Sequence, residues 1–282
     1  MTEVRGQFSS KIGFILAAAG SAVGLGNVVA FPVMASKNGG AAFLIIYLFF
    51  IAFICYPVMM AEISMGRHTN RNPVGAFSQL SAGHKGWRLA GILAIVTPFM
   101  IAVFYTVITV WLVVYIKEIA FGRLDLLSNG SMFGEVVARP SLFGYLFGLL
   151  GLIFTILLGG VKGGIERLAR ILMPTLAIML VTLTLFVLTL DNAVAGIRYY
   201  LVPDFSRMNL SVVNGALSQA FFSLSLGMGI LITYGSYFSR KDNIPQSTRM
   251  VVVADTSIAF FAGLLILPAI FAFDPNTNTD DL

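Results

Sequence analysis

Seven apolar stretches run along this chain, with short polar links between them. They fall at about 11–35, 41–65, 88–117, 141–160, 166–190, 213–239 and 247–273. A crossing helix takes roughly 20 consecutive apolar residues. The pattern therefore predicts an all-α integral membrane protein with seven transmembrane helices in a single domain over 1–282. No link is long enough to hold a soluble domain.

Two of the stretches are interrupted. The first carries Ala19-Gly20-Ser21-Ala22-Val23-Gly24-Leu25-Gly26-Asn27 and then Phe31-Pro32. The sixth carries Phe221-Phe222-Ser223-Leu224-Ser225-Leu226-Gly227-Met228-Gly229. Each Gly disfavours helix by about 1 kcal/mol relative to Ala. Glycine and serine also serve close packing of membrane helices, but Asn27 at the same depth needs partners that packing alone does not supply. Unwound backbone is tolerated in hydrocarbon only where it lines a cavity or is buried in protein. A broken helix offers amide donors to a carboxylate and carbonyl oxygens to Na⁺. Breaks in helices 1 and 6, at mid-membrane, imply an inverted repeat of five helices. Residues 1–190 then form the first repeat and 191–282 begin a second, which is incomplete. A phosphate-binding loop is excluded, because no strand precedes the glycines and no Gly-Lys-Ser/Thr follows.

Composition agrees with the membrane reading. The 282 residues are 57% hydrophobic and 11% charged, against about 25% charged in soluble domains, and the mean hydropathy is +0.88. The single Cys55 excludes a disulfide framework and a cysteine–zinc site. No cleavable signal peptide is visible. The net charge of +5 does not point to nucleic acid, because the basic residues sit in the links. With the N-terminus inside, twelve of the eighteen Lys and Arg fall on inner links. That bias predicts a multi-pass plasma-membrane protein with a cytoplasmic N-terminus and this chain's C-terminus on the outer side.

Polar side chains within apolar stretches mark candidate chemistry. A carboxylate in a membrane helix costs roughly 2.5–3.5 kcal/mol on insertion scales. Asp255, in Val252-Val253-Ala254-Asp255-Thr256-Ser257, lies six residues from Arg249, about 9 Å along a helix. That depth favours cation binding over an interfacial role. Glu62 reads as structural, accepting from the exposed amides of a broken helix. Gln219 precedes the second interruption. Tyr105 needs a hydroxyl partner and is either a core aromatic or a ligand. No Ser/His/Asp or Cys/His set converges, so the chain is not read as an enzyme.

Several segments together resemble the neurotransmitter:sodium symporter family, in its bacterial amino-acid transporter branch. They are Lys11-Ile12-Gly13, Ala22 through Asn27, Phe31-Pro32, Asn38-Gly39-Gly40 with Phe43, Glu62 with Met65-Gly66-Arg67, Lys162 through Arg167, Met173-Pro174 and the segment through Thr233-Tyr234-Gly235-Ser236-Tyr237. The resemblance covers essentially the whole chain. It implies the leucine-transporter-type inverted-repeat fold and a sodium-coupled symporter that imports an amino acid by alternating access. The amides of Gly24, Leu25 and Gly26 match those that hold the substrate carboxylate, with the Tyr105 hydroxyl as a second donor. Ile101, Phe222, Ser225 and Met228 match the pocket wall. Ala22, Asn27, Ser223 and Asp255 match the first sodium site, completed by the substrate carboxylate, so ion and substrate favour one another reciprocally. Gly20 and Val23 match half of a second sodium site.

Tyr47, Gln219 and Ser223 match three chloride ligands of the animal members, and the fourth hydroxyl aligns with Ala259. Asp255 stands where many members have Asn. A fixed carboxylate beside Na⁺ can supply the charge that chloride supplies elsewhere, so chloride independence is expected. The apolar wall at Gly227-Met228-Gly229 argues for a neutral hydrophobic or aromatic amino acid, since Met fills irregular space.

Departures from the family pattern weigh on this reading. Ala30 stands before Phe31-Pro32 where the family has an outer-gate Arg. Arg5 matches the inner-gate arginine, whose acidic partner lies beyond this sequence. Family helices eight onward are absent from it. A fragment, a truncated gene, and a second chain that supplies the missing helices are the readings left open. The functional alternative is a non-transporting membrane paralogue with a binding or interaction role.

Overall fold

The computed structural model describes residues 8–123, 132–274 and 277. All regular structure among them is helical. Helix α1 (Lys11–Ala22) starts where Ser10 accepts from the Gly13 amide at 3.0 Å, a side-chain N-cap that satisfies an otherwise orphaned donor. It stops at Ala22. A π-helical turn (Gly26–Ala30) then leads into α2 (Phe31–Lys37), and the two halves meet at a bend of 55°.

Helix α3 (Ala41–Thr69) is continuous but carries a π-helical turn at Ile51–Cys55. Short α4 (Pro73–Leu80) precedes α5 (Lys85–Ala120), the longest element. Then come α6 (Met132–Val137), α7 (Leu142–Leu158) and α8 (Gly160–Val187), which opens with a π-helical turn at Gly160–Glu166. After α9 (Ala193–Leu201) the chain forms α10 (Leu210–Ser223), α11 (Ile230–Gly235) and α12 (Ile244–Phe273). Asn209 and Asn243 cap α10 and α12 as Ser10 caps α1.

By length and composition, α3, α5, α8 and α12 are each able to cross a membrane, and the bent α1–α2 pair makes a fifth candidate among the described residues. Helix α7 is apolar but has only 17 residues, and α10 and α11 are each too short to cross alone. The outer faces carry large exposed apolar side chains such as Phe99, Phe147 and Leu158, as expected of a surface solvated by lipid.

Helix α12 is the hub. It packs against α1, α2, α3, α8 and α9. Around it lies one core in which Phe31 meets Tyr47 edge-on at 4.9 Å. Helices α3 and α11 approach backbone to backbone. A Cβ on Gly66 would strike the Ile232 carbonyl, and a Cβ on Gly235 would strike the Ile63 carbonyl. Small residues permit this proximity in membrane bundles.

Candidate functional site

The site forms where two helices stop. The last four carbonyls of a helix lack intrahelical partners, and in α1 these include Gly20 and Ala22. After Val23, the Gly24 amide donates to Asn27 Oδ1 at 3.1 Å, which holds the asparagine against its own break. The second stop follows Ser223. Ser225 adopts φ +54°, and Gly227 and Gly229 adopt φ +76° and +66°. This left-handed backbone is nearly free of strain for glycine and disfavoured for other residues. The Gly227 amide donates to Glu62 Oε1 at 2.7 Å, so α3 supports the second connection. The other carboxylate oxygen, Glu62 Oε2, is buried and has no hydrogen-bond partner among the described residues.

Three distant residues meet between the stops. The Asn27 amide nitrogen donates to Asp255 Oδ1 at 2.8 Å and to Ser223 Oγ at 3.1 Å. Ser223 Oγ donates to Asp255 Oδ2 at 2.8 Å. Asn27, Ser223 and Asp255 are all essentially inaccessible, with Asp255 at 0% exposure. No Lys, Arg or His forms an ion pair with Asp255 among the described residues. An ionised carboxylate without a countercharge is expensive to bury. The donor set is oxygen-rich and hard: carboxylate, hydroxyl, amide and the helix-end carbonyls. It suits an alkali or alkaline-earth cation rather than a soft metal.

Around this polar floor lies a half-open ring. A Cβ placed on Gly26 would come within 3.1 Å of the Phe222 ring and 3.9 Å of the Tyr105 hydroxyl, and one on Gly24 would lie 4.0 Å from the Tyr105 ring. Those distances put Tyr105 and Phe222 directly over the first break. Ile101 sits one helical turn before Tyr105 on α5. Leu25, Ile101, Phe222 and Met228 are half-buried, whereas Ser225 is buried and reaches the Ser21 carbonyl at 3.5 Å. The arrangement can hold a small amphiphile with its polar end on the broken backbone and its apolar part among rings and aliphatic chains.

The remaining expected residues fall nearby, with one exception. Gln219 Nε2 donates to the Gly26 carbonyl at 2.9 Å. Tyr47 is fully buried beside Ser223, and among the described residues its hydroxyl has no hydrogen-bond partner within 3.5 Å. Ala259 is likewise buried. Gly20 packs towards Met173 and Ala169 of α8, and with Val23 it lines a mainly apolar cavity of about 490 Å³. Arg5 lies outside the described residues.

The chain's own similarities decide its family. The sequence profile of the sodium:neurotransmitter symporter family matches residues 5–126 and 137–281. This chain belongs to that family. It is 37% identical over 277 residues to the uncharacterized sodium-dependent transporter YhdH of Bacillus subtilis (strain 168), covering 96% of this chain and 61% of that one. It is 28% identical over 302 residues to the sodium-dependent neutral amino acid transporter B(0)AT2 of Rattus norvegicus, covering 95% and 40%. Among solved structures, MhsT in complex with L-phenylalanine matches with a TM-score of 0.87 and 41% identity, covering 98% of this chain and 64% of that chain. The chain thus spans less than two thirds of these relatives' lengths. They carry their further sequence on the same chain, which gives no support to a separate second chain. Membership places the chain in a family whose matched relatives are named as sodium-dependent transporters.

One cluster was not assigned a role from the sequence. Glu166, at the start of α8, accepts from the Ser9 amide at 2.8 Å and from the Ser9 hydroxyl, and Arg170 reaches Glu166 at 2.6 Å, Ser9 at 2.7 Å and Ser10 at 3.0 Å. It pins the entry to α1 onto α8. The Gly163-Gly164-Ile165-Glu166 run marked the place, but Ser9 and Ser10 are more than 150 residues away in sequence.

Proposed function

We propose that this chain is the ion- and substrate-binding part of a symporter that couples Na⁺ to import of a neutral hydrophobic or aromatic amino acid by alternating access. The observation that carries the reading is Asp255: a fully buried carboxylate, hydrogen-bonded by Asn27 and Ser223 but lacking any basic partner among the described residues. Na⁺ bound there by Asp255, Ser223, Asn27 and the Ala22 carbonyl would supply the missing positive charge. The substrate carboxylate would lie on the Gly24–Gly26 backbone under Tyr105, with Ile101, Phe222, Ser225 and Met228 around its side chain. Gly20 and Val23 would offer half of a second sodium site, at the end of α1 beside its apolar cavity. Two relatives support this choice of substrate: MhsT, whose complex holds L-phenylalanine, and the rat protein, a neutral amino acid transporter.

In this reading the chain crosses the plasma membrane seven times, as the start of an inverted repeat with breaks in helices 1 and 6, and its N-terminus is cytoplasmic. Transport is independent of chloride. Gln219 and Ser223 are already engaged, with the Gly26 carbonyl and with Asp255, and a carboxylate stands within the same cluster. The alternative, a non-transporting paralogue, draws on Ala30, which precedes the buried Phe31 and Pro32 where the resemblance expects Arg.

Binding of labelled phenylalanine and leucine to the purified protein, in Na⁺ and in K⁺ and then with chloride replaced by gluconate, tests the proposal. Binding that needs Na⁺ and ignores chloride is expected. Equal binding in K⁺ sinks the coupling, and loss on chloride removal sinks the chloride reading.

A further inference from the structure

A second feature lies on the outer face of α12, between it and α3. Two furrows run end to end there. One, of about 660 Å³, is lined by Tyr56, Asn243, Gln246 and Arg249. The other, of about 710 Å³, is lined by Leu48, Ile51, Val252, Phe260 and Phe261. They share Tyr56, Arg249 and Val253. The lining thus grades from polar to apolar, with a guanidinium at the junction. Arg249 is exposed and makes no hydrogen bond or ion pair with a described residue. Lys11 Nζ donates to Gln246 Oε1 at 2.6 Å, which brings a second cation to the rim. The Tyr56 hydroxyl donates to the Pro245 carbonyl at 3.1 Å and bridges the two helices at the polar end.

We propose that this furrow is a binding site for an anionic phospholipid. Its phosphate would sit on Arg249 and beside Lys11, and one acyl chain would lie along Val252, Val253 and Phe260. Length agrees. Eleven residues of helix separate Arg249 from Phe260, about 16 Å at 1.5 Å per residue, and half of a roughly 30 Å hydrocarbon core is about 15 Å. The furrow therefore matches one leaflet from headgroup level inward. Arg places its charge at that level while its stem stays in apolar surroundings, and basic pockets between membrane helices hold anionic headgroups. A zwitterionic lipid also presents a phosphate, but its ammonium offsets that charge, so its attraction to Arg249 and Lys11 is weaker.

The test is native mass spectrometry of the purified protein with equimolar phosphatidylglycerol and phosphatidylcholine of identical chains. Preferential retention of phosphatidylglycerol, about fivefold for one cation near a membrane surface, is expected. Arg249→Gln should erase the preference, and Arg71→Gln, an exposed cation elsewhere, should keep it. Val253→Trp, which fills the furrow and leaves the charges in place, should lower retention of both lipids. Equal retention by the unaltered protein overturns the proposal. So does an intact preference in Arg249→Gln, or an equal loss in Arg71→Gln, which would show diffuse attraction only. If Arg249→Gln does not fold, the Val253→Trp and Arg71→Gln results decide alone: unchanged retention in Val253→Trp also overturns the site.

Discussion

Two carboxylates are buried to the same degree and are treated in opposite ways. Glu166 is 1% exposed and Asp255 is 0% exposed. Around Glu166 the fold supplies Arg170, the Ser9 amide and the Ser9 hydroxyl. Around Asp255 it supplies a neutral amide and a neutral hydroxyl. The first charge is complemented by the chain itself, so its cluster works as a lock between the entry to α1 and the start of α8. The second is left without a basic partner among the described residues. A fold that retains such a group fits a cation that arrives from outside, because the arrangement without it is costly.

Substitutions sharpen this contrast, and the largest effect is expected at Asp255. Asp255→Asn keeps the size and removes the charge. Breaking a buried ion pair costs about 3–5 kcal/mol, so sodium-dependent ligand binding should weaken at least about 100-fold. Thermal stability measured in K⁺ should hold or rise. A variant that still gains stability from Na⁺ as the unaltered protein does would remove Asp255 from the ion site.

Gly13→Ala attacks the other carboxylate by crowding, since a Cβ there runs into the Glu166 carboxylate. Overpacking typically costs about 1–3 kcal/mol. A lower Tm with an unchanged increment from Na⁺ is expected, and a loss of the increment would merge the two regions into one. Ser223→Ala removes a hydroxyl that accepts from Asn27 and donates to the Asp255 carboxylate, and a hydrogen bond to a charged group is worth about 1.5 kcal/mol or more. It should raise the sodium concentration for half-maximal binding by at least about tenfold, read from titration of bound substrate. The smallest change is expected from Arg170→Gln. Its guanidinium is about half exposed, and such pairs contribute about 0–1 kcal/mol, so chemical denaturation should show a shift near the limit of detection. A large shift would mean that Glu166 depends on Arg170 more than on Ser9.

The contrast was only half legible in the sequence. Asp255 stands out because Val252-Val253-Ala254 precede it and an apolar run continues after Ser257, and a charge in such a run demands a reason. Asn27 and Ser223 stand out through the glycines and serines around them. Glu166 sits beside Arg167 and Arg170 at the charged start of the fifth apolar stretch, and nothing local reveals that it is buried. Ser9 and Gly13 are brought against it by tertiary packing. Long helices such as α5 and α12 follow directly from hydropathy. The π-helical turn at Ile51–Cys55 does not, because its residues are as apolar as the flanking helix and the extra residue per turn leaves no mark in composition. The stop at Ser223 was visible, but not that α10 and α11 would each be short.

The glycine contact between α3 and α11 has a mechanical meaning. With Gly66 against the Ile232 carbonyl and Gly235 against the Ile63 carbonyl, no side chain separates the two backbones at these crossing points. The seam acts as a weld. Rotation of α11 is expected to carry the adjoining turn of α3 with it, and the natural place for a joint is the connection before α11, where Ser225, Gly227 and Gly229 have positive φ angles. A few such residues suffice to absorb a hinge motion. Glu62 spans the welded part and the joint, holding Gly227 from α3, and so serves as a tether that limits how far the joint opens.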